Sequence, residues 1–348
     1  MSIKLSIAPR TLHFKQPAGT SRGVYTTRQS WFVTATDDAH PDIRGVGECA
    51  PLPDLSCDAT PNYEERLKEL CSMVEAKGSI CYDTLRPYPS VLFGLETALL
   101  DLKRGGTGVL FDNSFARGEA GIPINGLVWM GNYDEMLQRL EEKMRAGFRC
   151  VKLKIGAIDF DRELDLVRHI RSAFTKEQIE LRVDANGGFT VDCALQRLEQ
   201  LAQYDIHSIE QPIRQHQWEE MAALCKATPI PIALDEELIG VNDKTEKEEL
   251  LDRIRPHYII LKPSLHGGMY GSREWIALAD KRGIGSWITS ALESNVGLNA
   301  IAQFAADVYG ESITMPQGLG TGQLFTDNIP MPLEIRGDKL WRTFKVTK

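Results

Sequence analysis

Five short motifs bearing acids or lysines recur along the middle of this 348-residue chain at a nearly constant interval. They are VKLKIG with Lys152 and Lys154, VDAN with Asp184, IEQP with Glu210, LDEE with Asp235, and ILKPS with Lys262. Successive steps from Lys154 are 30, 26, 25 and 27 residues, and a further 28 leads to Ser290 in SWITSALES. A strand, a helix and two short loops fill such a step, which is the repeating unit of a parallel barrel. Each motif closes a short β-branched apolar run, so each charge falls where a strand would end. Barrel enzymes carry their chemistry at that carboxyl-terminal rim. Three carboxylates and three lysines gathered there predict a divalent-cation site joined to a proton transfer.

The alternation sets in at Ile122. IPINGLV reads as the first strand, followed by an amphipathic helix over Tyr133–Ala146 that Gly147 stops. RCVKLKIG, ELRVDAN, HSIEQP, PIALDEE, HYIILKPS, GIGSWITS and SITMPQ complete eight candidate strands. Helices are expected between them at Asp161–Ala173, Val191–Gln203 and Trp218–Lys226. Strands alternating with helices predict a parallel sheet with crossover connections. Residues 1–115 read differently. Leu5–Ile7 and Ser30–Thr36 are strand-like around a turn-rich QPAGTSRGVYTTR, and helices are expected at Asn62–Lys77 and Ser90–Lys103. The division expected is an α+β region over 1–115, a barrel over 116–319, and a tail over 320–348 that returns to the first region.

A net charge of −8 argues against nucleic acid as a partner. No apolar run approaches the roughly 18 residues that span a bilayer, so no membrane association is expected. MSIKLSIAPR lacks the apolar centre of a secretory signal, and seven cysteines without a Cys-x-x-Cys pair fit a reducing compartment. A cytoplasmic protein is expected, with an oligomeric state that the sequence leaves open.

Side chains alternate along a strand, so Lys152 and Lys154 share a face, as do Arg182, Asp184 and Asn186. Mutual repulsion of two close ammonium groups, with a metal ion nearby, lowers a lysine pKa toward that of a working base. Lys-x-Lys alone is common as a solvated pair, and any one of the three acids could be a helix cap. Their even spacing at successive strand ends is what joins them. Asp184, Glu210 and Asp235 are the candidate ligands of a hard cation, Mg²⁺ or alternatively Mn²⁺. Arg182, Asn186 and Glu236 are candidates for orienting those carboxylates. Lys262 stands across the rim, to act as a cation or acid–base group on the other face of a substrate, or merely to pair with Asp235 or Glu236. Ser290, Ser264 and Glu293 are the candidates for holding the remainder of the substrate. His266, in HGGMYG, reads as a loop residue. Gln16–Arg28, with Gly19 and Gly23, reads either as a mobile lid or as an ordinary hairpin connection.

Taken together, these residues resemble the enolase superfamily, in its muconate-lactonising-enzyme branch. That branch carries Lys-x-Lys on the second barrel strand, Asp, Glu and Asp metal ligands on the third to fifth, and Lys on the sixth. This sequence supplies Lys152/Lys154, Asp184, Glu210, Asp235 and Lys262 in that order. The resemblance implies a modified TIM barrel, (β/α)₇β, with an α+β capping domain built from the N-terminal region and the C-terminal tail. Within the branch, RVDANGGFT, SALESNVGLNAIAQFAA and GLGTGQLFTDNI are most similar to its o-succinylbenzoate-forming dehydratases. These imply a carbon–oxygen lyase of menaquinone biosynthesis acting on a small-molecule carboxylate. Lys154 would be the base and Lys152 its neighbour, with Lys262 on the opposite face and an ene-diolate between them. N-acylamino-acid racemase and dipeptide epimerase are the alternatives within the superfamily, although MPQGLG lacks the Asp-x-Asp that marks the epimerases. A barrel kept only for binding is the alternative from outside enzymology.

Overall fold

The computed structural model describes residues 3–20, 23–129, 131–156, 158–310 and 313–343. Three antiparallel strands open the chain: β1 (Ile3–Thr20), β2 (Gly23–Asp37) and β3 (His40–Cys49). Helices α1 (Tyr63–Lys77), α2 (Tyr82–Leu85) and α3 (Pro89–Lys103) follow. α3 is apolar around almost its whole circumference, as a helix buried on two sides must be. It packs on β3 so closely that a Cβ at Gly47 would stand 1.9 Å from the Gly94 carbonyl oxygen. Only glycine fits this crossing.

The turn-rich stretch at 16–28 is mostly strand. β1 and β2 pair as far as Thr20 and Gly23, with a register shift between His13 and Ala18. Ser21 and Arg22 lie outside the described residues. The pairing places a long hairpin where the sequence offered a loop, because extended Thr-rich segments find ladder partners in each other.

β4 (Ile122–Pro123) precedes the repeating part, which contains β5 (Gly126–Val128), α4 (Tyr133–Arg145), β6 (Cys150–Lys154), α5 (Phe160–Ala173), β7 (Glu180–Asp184) and α6 (Val191–Ala202). It continues through β8 (Ser208–Glu210), α7 (Trp218–Ala227), β9 (Ile232–Leu234), α8 (Lys244–Ile254), β10 (Tyr258–Leu261), α9 (Gly268–Asp280), β11 (Gly285–Ile288) and α10 (Asn295–Tyr309). β5 to β11 form one parallel sheet in chain order. Side-chain caps start several of these helices: Asn132 with Glu135 as a capping box, then Asp159, Asp243 and Ser294.

The tail forms a hairpin, β12 (Leu333–Arg336) and β13 (Lys339–Arg342). Before it, Lys15 N donates to Leu324 O at 2.8 Å and Thr326 N to His13 O at 2.9 Å, beside a Phe14–Phe325 bridge. One large apolar core lies among the barrel strands and their helices, and a second lies between β1–β3, α1 and α3. Among the described residues no helix is long and apolar enough to cross a membrane.

Two expected strands change. IPINGLV splits, since Ile122–Pro123 pairs antiparallel with β13 and only Gly126–Val128 enters the barrel sheet. SITMPQ contributes no regular strand among its described residues, and Ser312 lies outside them. Instead, isolated parallel bridges Gln317–Ile124 and Gly318–Thr289 join the first and last parts of the sheet. Pro316 has no N–H for a ladder. The Gln317 side chain does part of that work, accepting from Ile288 N at 2.7 Å and donating to Met315 O at 2.8 Å.

Candidate active site

Register brings the charges together. Lys154 is paired with Asp184, and Asp184 with Glu210, across three adjacent strands. Asp235 and Lys262 each follow the last residue of their strand, at the same rim. Val151 and Leu153 are buried in the core, while Lys152 and Lys154 alternate with them and open onto the cavity.

Lys152 Nζ donates to Asp184 Oδ2 at 2.9 Å and to Glu210 Oε2 at 2.8 Å. Lys154 Nζ stands 2.6 Å from Asp184 Oδ2 and donates to Asn186 Oδ1, also at 2.6 Å. Lys262 Nζ pairs with Asp235 Oδ2. Asn186, held at φ 44°, donates from Nδ2 to Glu236 Oε1 at 2.9 Å and from its backbone to Asp184 Oδ1 at 3.1 Å. Asn186 therefore ties one lysine, one carboxylate and Glu236 into a single network.

Electrostatics follow the pairing. Burial by itself would raise Asp184, but the Lys152 and Lys154 ammonium groups outweigh it and hold the carboxyl well below its usual range. Burial likewise opposes charge on Lys152, yet Asp184 and Glu210 overcome this and push its pKa up. Lys152 thus sits in a carboxylate cradle. Glu210 goes the other way. Burial and the charges on Asp184 and Asp235 lift it to about 8 against the pull of Lys152. Asp235 is raised by burial, with Lys262 opposing. Lys262 is raised too, because Asp235, Glu210 and Glu236 outweigh its burial.

Among the described residues no three His, Cys, Asp or Glu side chains stand together in metal-ligand geometry. The lysine ammonium groups lie on the carboxylates instead. The donor set still fits a hard cation on two counts. Glu210 Oε1, Asp235 Oδ1 and Glu236 Oε2 are buried without a hydrogen-bond partner. The Glu210 carboxyl, raised first by burial and then by the charges on Asp184 and Asp235, is a group whose charged form an added cation would stabilise. Oxygen donors of this kind, adjacent to open space, suit Mg²⁺ or Mn²⁺.

A cavity of about 520 Å³ opens over the rim, lined by Lys152, Lys154, Lys262, Asn186, Glu210, Glu236 and Ser290. Not every candidate reaches it. Arg182 turns away from the three acids, donating to Glu180 Oε1 at 2.7 Å and Pro316 O at 3.0 Å with its guanidinium 4.4 Å from the Trp287 ring centre. Ser264 donates to Glu293, and Glu293 also accepts from Ala291 N at 2.6 Å; both are fully buried and neither lines the cavity. His266 is a loop residue as expected, but a buried one: its Nδ1 accepts from Lys262 N at 2.8 Å, inside the turn that positions that lysine. Gln16 and Tyr25, from the candidate lid segment Gln16–Arg28, line the cavity, whereas the sequence patterns pass over Leu52 and Leu55 after β3 and Trp129 and Arg139 after β5, which line it too. Trp129 was within reach of the rim rule, since it follows β5 directly.

Comparison with known proteins agrees with this geometry. Residues 135–337 match the model of the enolase C-terminal domain-like family, and residues 20–102 match that of the MenC N-terminal domain. The o-succinylbenzoate synthase of Desulfotalea psychrophila is 47% identical over 97% of this chain and 98% of its own. The chain belongs to the o-succinylbenzoate synthase family of the enolase superfamily. The crystal structure of MenC from Desulfotalea psychrophila LSv54 superposes with a TM-score of 0.82 at 43% identity, covering 98% of this chain and 100% of that one. An L-amino acid-D/L-Glu epimerase of Francisella philomiragia is 32% identical, but over 50% of this chain and 48% of its own. The L-Ala-D/L-Glu epimerase of Bacillus subtilis, at 20% identity and a TM-score of 0.80 over 99% and 97% of the chains, shares the fold. Members of the superfamily use a divalent metal.

Proposed function

We propose that this protein is a carbon–oxygen lyase, an o-succinylbenzoate synthase. It removes water from 2-succinyl-6-hydroxy-2,4-cyclohexadiene-1-carboxylate in a syn elimination. The near-full-length match to the Desulfotalea synthase carries this reading. The cavity supports it by admitting lysines from two sides of one space.

Asp184, Glu210 and Asp235 would hold Mg²⁺, with Mn²⁺ as the alternative ion. When bound, the ion supplies positive charge against the ring carboxylate, which steadies the ene-diolate formed on proton loss. Lys154 takes the proton from the carbon bearing that carboxylate and returns a proton to the departing hydroxyl on the same face. Lys152, paired with both Asp184 and Glu210, fixes those carboxylates in their register. Lys262 presents its charge to the other face. Asn186 holds Lys154 in place through its side-chain carbonyl. Loss of water leaves an aromatic ring, so the second step runs downhill.

The test is ultraviolet detection of o-succinylbenzoate from the purified substrate, with Mg²⁺ and with excess chelator. Product should form only with the metal. A protein that consumed none of the substrate with Mg²⁺ present would defeat the reading.

A further inference from the structure

Beside Ser290, the cavity wall is built from a segment that does not hold itself. Ala291 and Leu292 line the cavity next to Ser290. Leu292 sits at φ 63°, in the left-handed region, which costs a residue with a branched side chain about 1–3 kcal/mol. Such a conformation persists only where its surroundings impose it.

What imposes it comes from β2 and β3, at the opposite end of the sequence. Arg28 is 2% exposed and donates to four main-chain carbonyls. Two of them, Ala50 O at 2.6 Å and Pro51 O, follow β3. The other two are in the wall, Leu292 O at 3.2 Å and Ala291 O at 3.4 Å. Glu48 is fully buried and accepts from Ser30 Oγ at 2.8 Å, Ser294 N at 2.9 Å, Ser294 Oγ at 2.5 Å and Gly297 N at 3.0 Å. It thus closes the amino terminus of α10, where a carboxylate meets free N–H groups. A buried arginine on the carbonyls and a buried glutamate on the N–H groups grip the same short stretch, 291–297, from both ends. The gain from these charge-assisted bonds is what a strained Leu292 requires.

We propose that Arg28 and Glu48 form a clasp that sets the shape of the substrate wall at Ser290–Leu292, making them positioning residues for the reaction. The inference rests on the lyase reading above. It implies that the segment Gln16–Arg28 is anchored at its Arg28 end, so that any motion of the hairpin pivots there. The wall follows β11, whereas the metal-binding acids stand at the ends of β7, β8 and β9. Loosening it therefore weakens substrate binding before it harms metal binding.

Arg28→Lys tests this, because lysine keeps the charge but cannot reach four carbonyls with a planar fork. Expected are a rise of about tenfold in KM, a smaller change in kcat, and Mg²⁺ affinity by calorimetry unchanged within about twofold. Amide exchange at Ala291–Ser294 should quicken by about tenfold, equivalent to about 1.4 kcal/mol of lost local stability. Glu48→Gln should produce the same pattern. Where either variant fails to fold, Ser294→Ala removes one hydroxyl from the clasp and is read by the same measurements. A lower Tm with KM and amide exchange unchanged would overturn the proposal and leave the clasp a stabilising contact only. Joint loss of kcat and metal affinity would overturn it as well. If the wild-type protein formed no o-succinylbenzoate, the lyase reading would fail, while the exchange rates would still decide whether Arg28 holds the wall.

Discussion

Replacing Glu210 by glutamine should make the metal-free protein more stable at pH 8, while destroying its use of metal. Burial, with Asp184 and Asp235 nearby, lifts this carboxyl from 4.5 to about 8. Ionising it in the folded chain costs about 5 kcal/mol more than in the unfolded chain. The sign follows from which state holds the proton. Below pH 4.5 both states are protonated and nothing is lost. Between 4.5 and about 8 the unfolded chain releases its proton while the folded chain keeps it, so this group makes stability fall as pH rises. Above about 8 the penalty is complete. The substituted glutamine carries no such penalty, but its amide must also find an acceptor, so a net gain of about 2 kcal/mol or more at pH 8 is expected. The gain should close toward about pH 5. Urea unfolding in excess chelator at the two pH values reads it directly, as the difference between variant and wild type. Mg²⁺ titration supplies the other half: wild-type affinity should climb with pH up to about 8 as the proton leaves, and the variant should lose both affinity and slope. A variant less stable than wild type at pH 8, or one whose Mg²⁺ affinity kept the wild-type slope, would refute the reasoning.

Three further outcomes are expected. Lys154→Ala should lose about a thousandfold or more in kcat while still binding o-succinylbenzoate by calorimetry, since the residue moves a proton and does not hold the product. Lys262→Arg keeps the cation facing Asp235, so stopped-flow turnover should fall only partly; complete loss would make Lys262 a proton-transfer group. Gly47→Ala should lower the unfolding free energy in urea by at least about 2 kcal/mol, because its Cβ would stand 1.9 Å from the Gly94 carbonyl, and normal stability would mean α3 can move away from β3.

The part of the site that the sequence displayed is the part governed by strand periodicity. Lys152, Lys154 and Asp184 lie inside strands, where alternation fixes the face and parallel register fixes the neighbour. The interval between motifs then carried Glu210, Asp235 and Lys262 to the same rim. The cavity's other walls were hidden for a different reason. Leu52 and Leu55 come from the turn after β3 in the capping region, and contacts such as Arg28 to Leu292 join positions 264 apart. No local pattern reports which distant segment a hairpin will cover. The split of IPINGLV has a similar origin, because its first two residues are claimed by a hairpin near the other end of the chain.

Alternation also marks where such reading should stop. Lys262 is the first residue after β10 and still projects as the strand directs. Two positions on, Ser264 ought to share its face. But Leu265 N and His266 N already donate to Lys262 O, at 2.7 and 3.0 Å, so the chain has entered a turn and Ser264 points into the protein toward Glu293. Asn186 stands in the same relation to Asp184, and there φ 44° happens to return its side chain to the rim. Arg182 fails in the other direction: it shares the face of Asp184 but lies two residues deeper, beneath the site, where it closes on Glu180 and Trp287. A period of two therefore assigns the face throughout a strand, but depth along the barrel axis decides whether a residue on that face meets the substrate. For this chain the useful depth spans the last residues of each strand and the two that follow it, where Asn186, Glu236 and Ser290 meet the cavity.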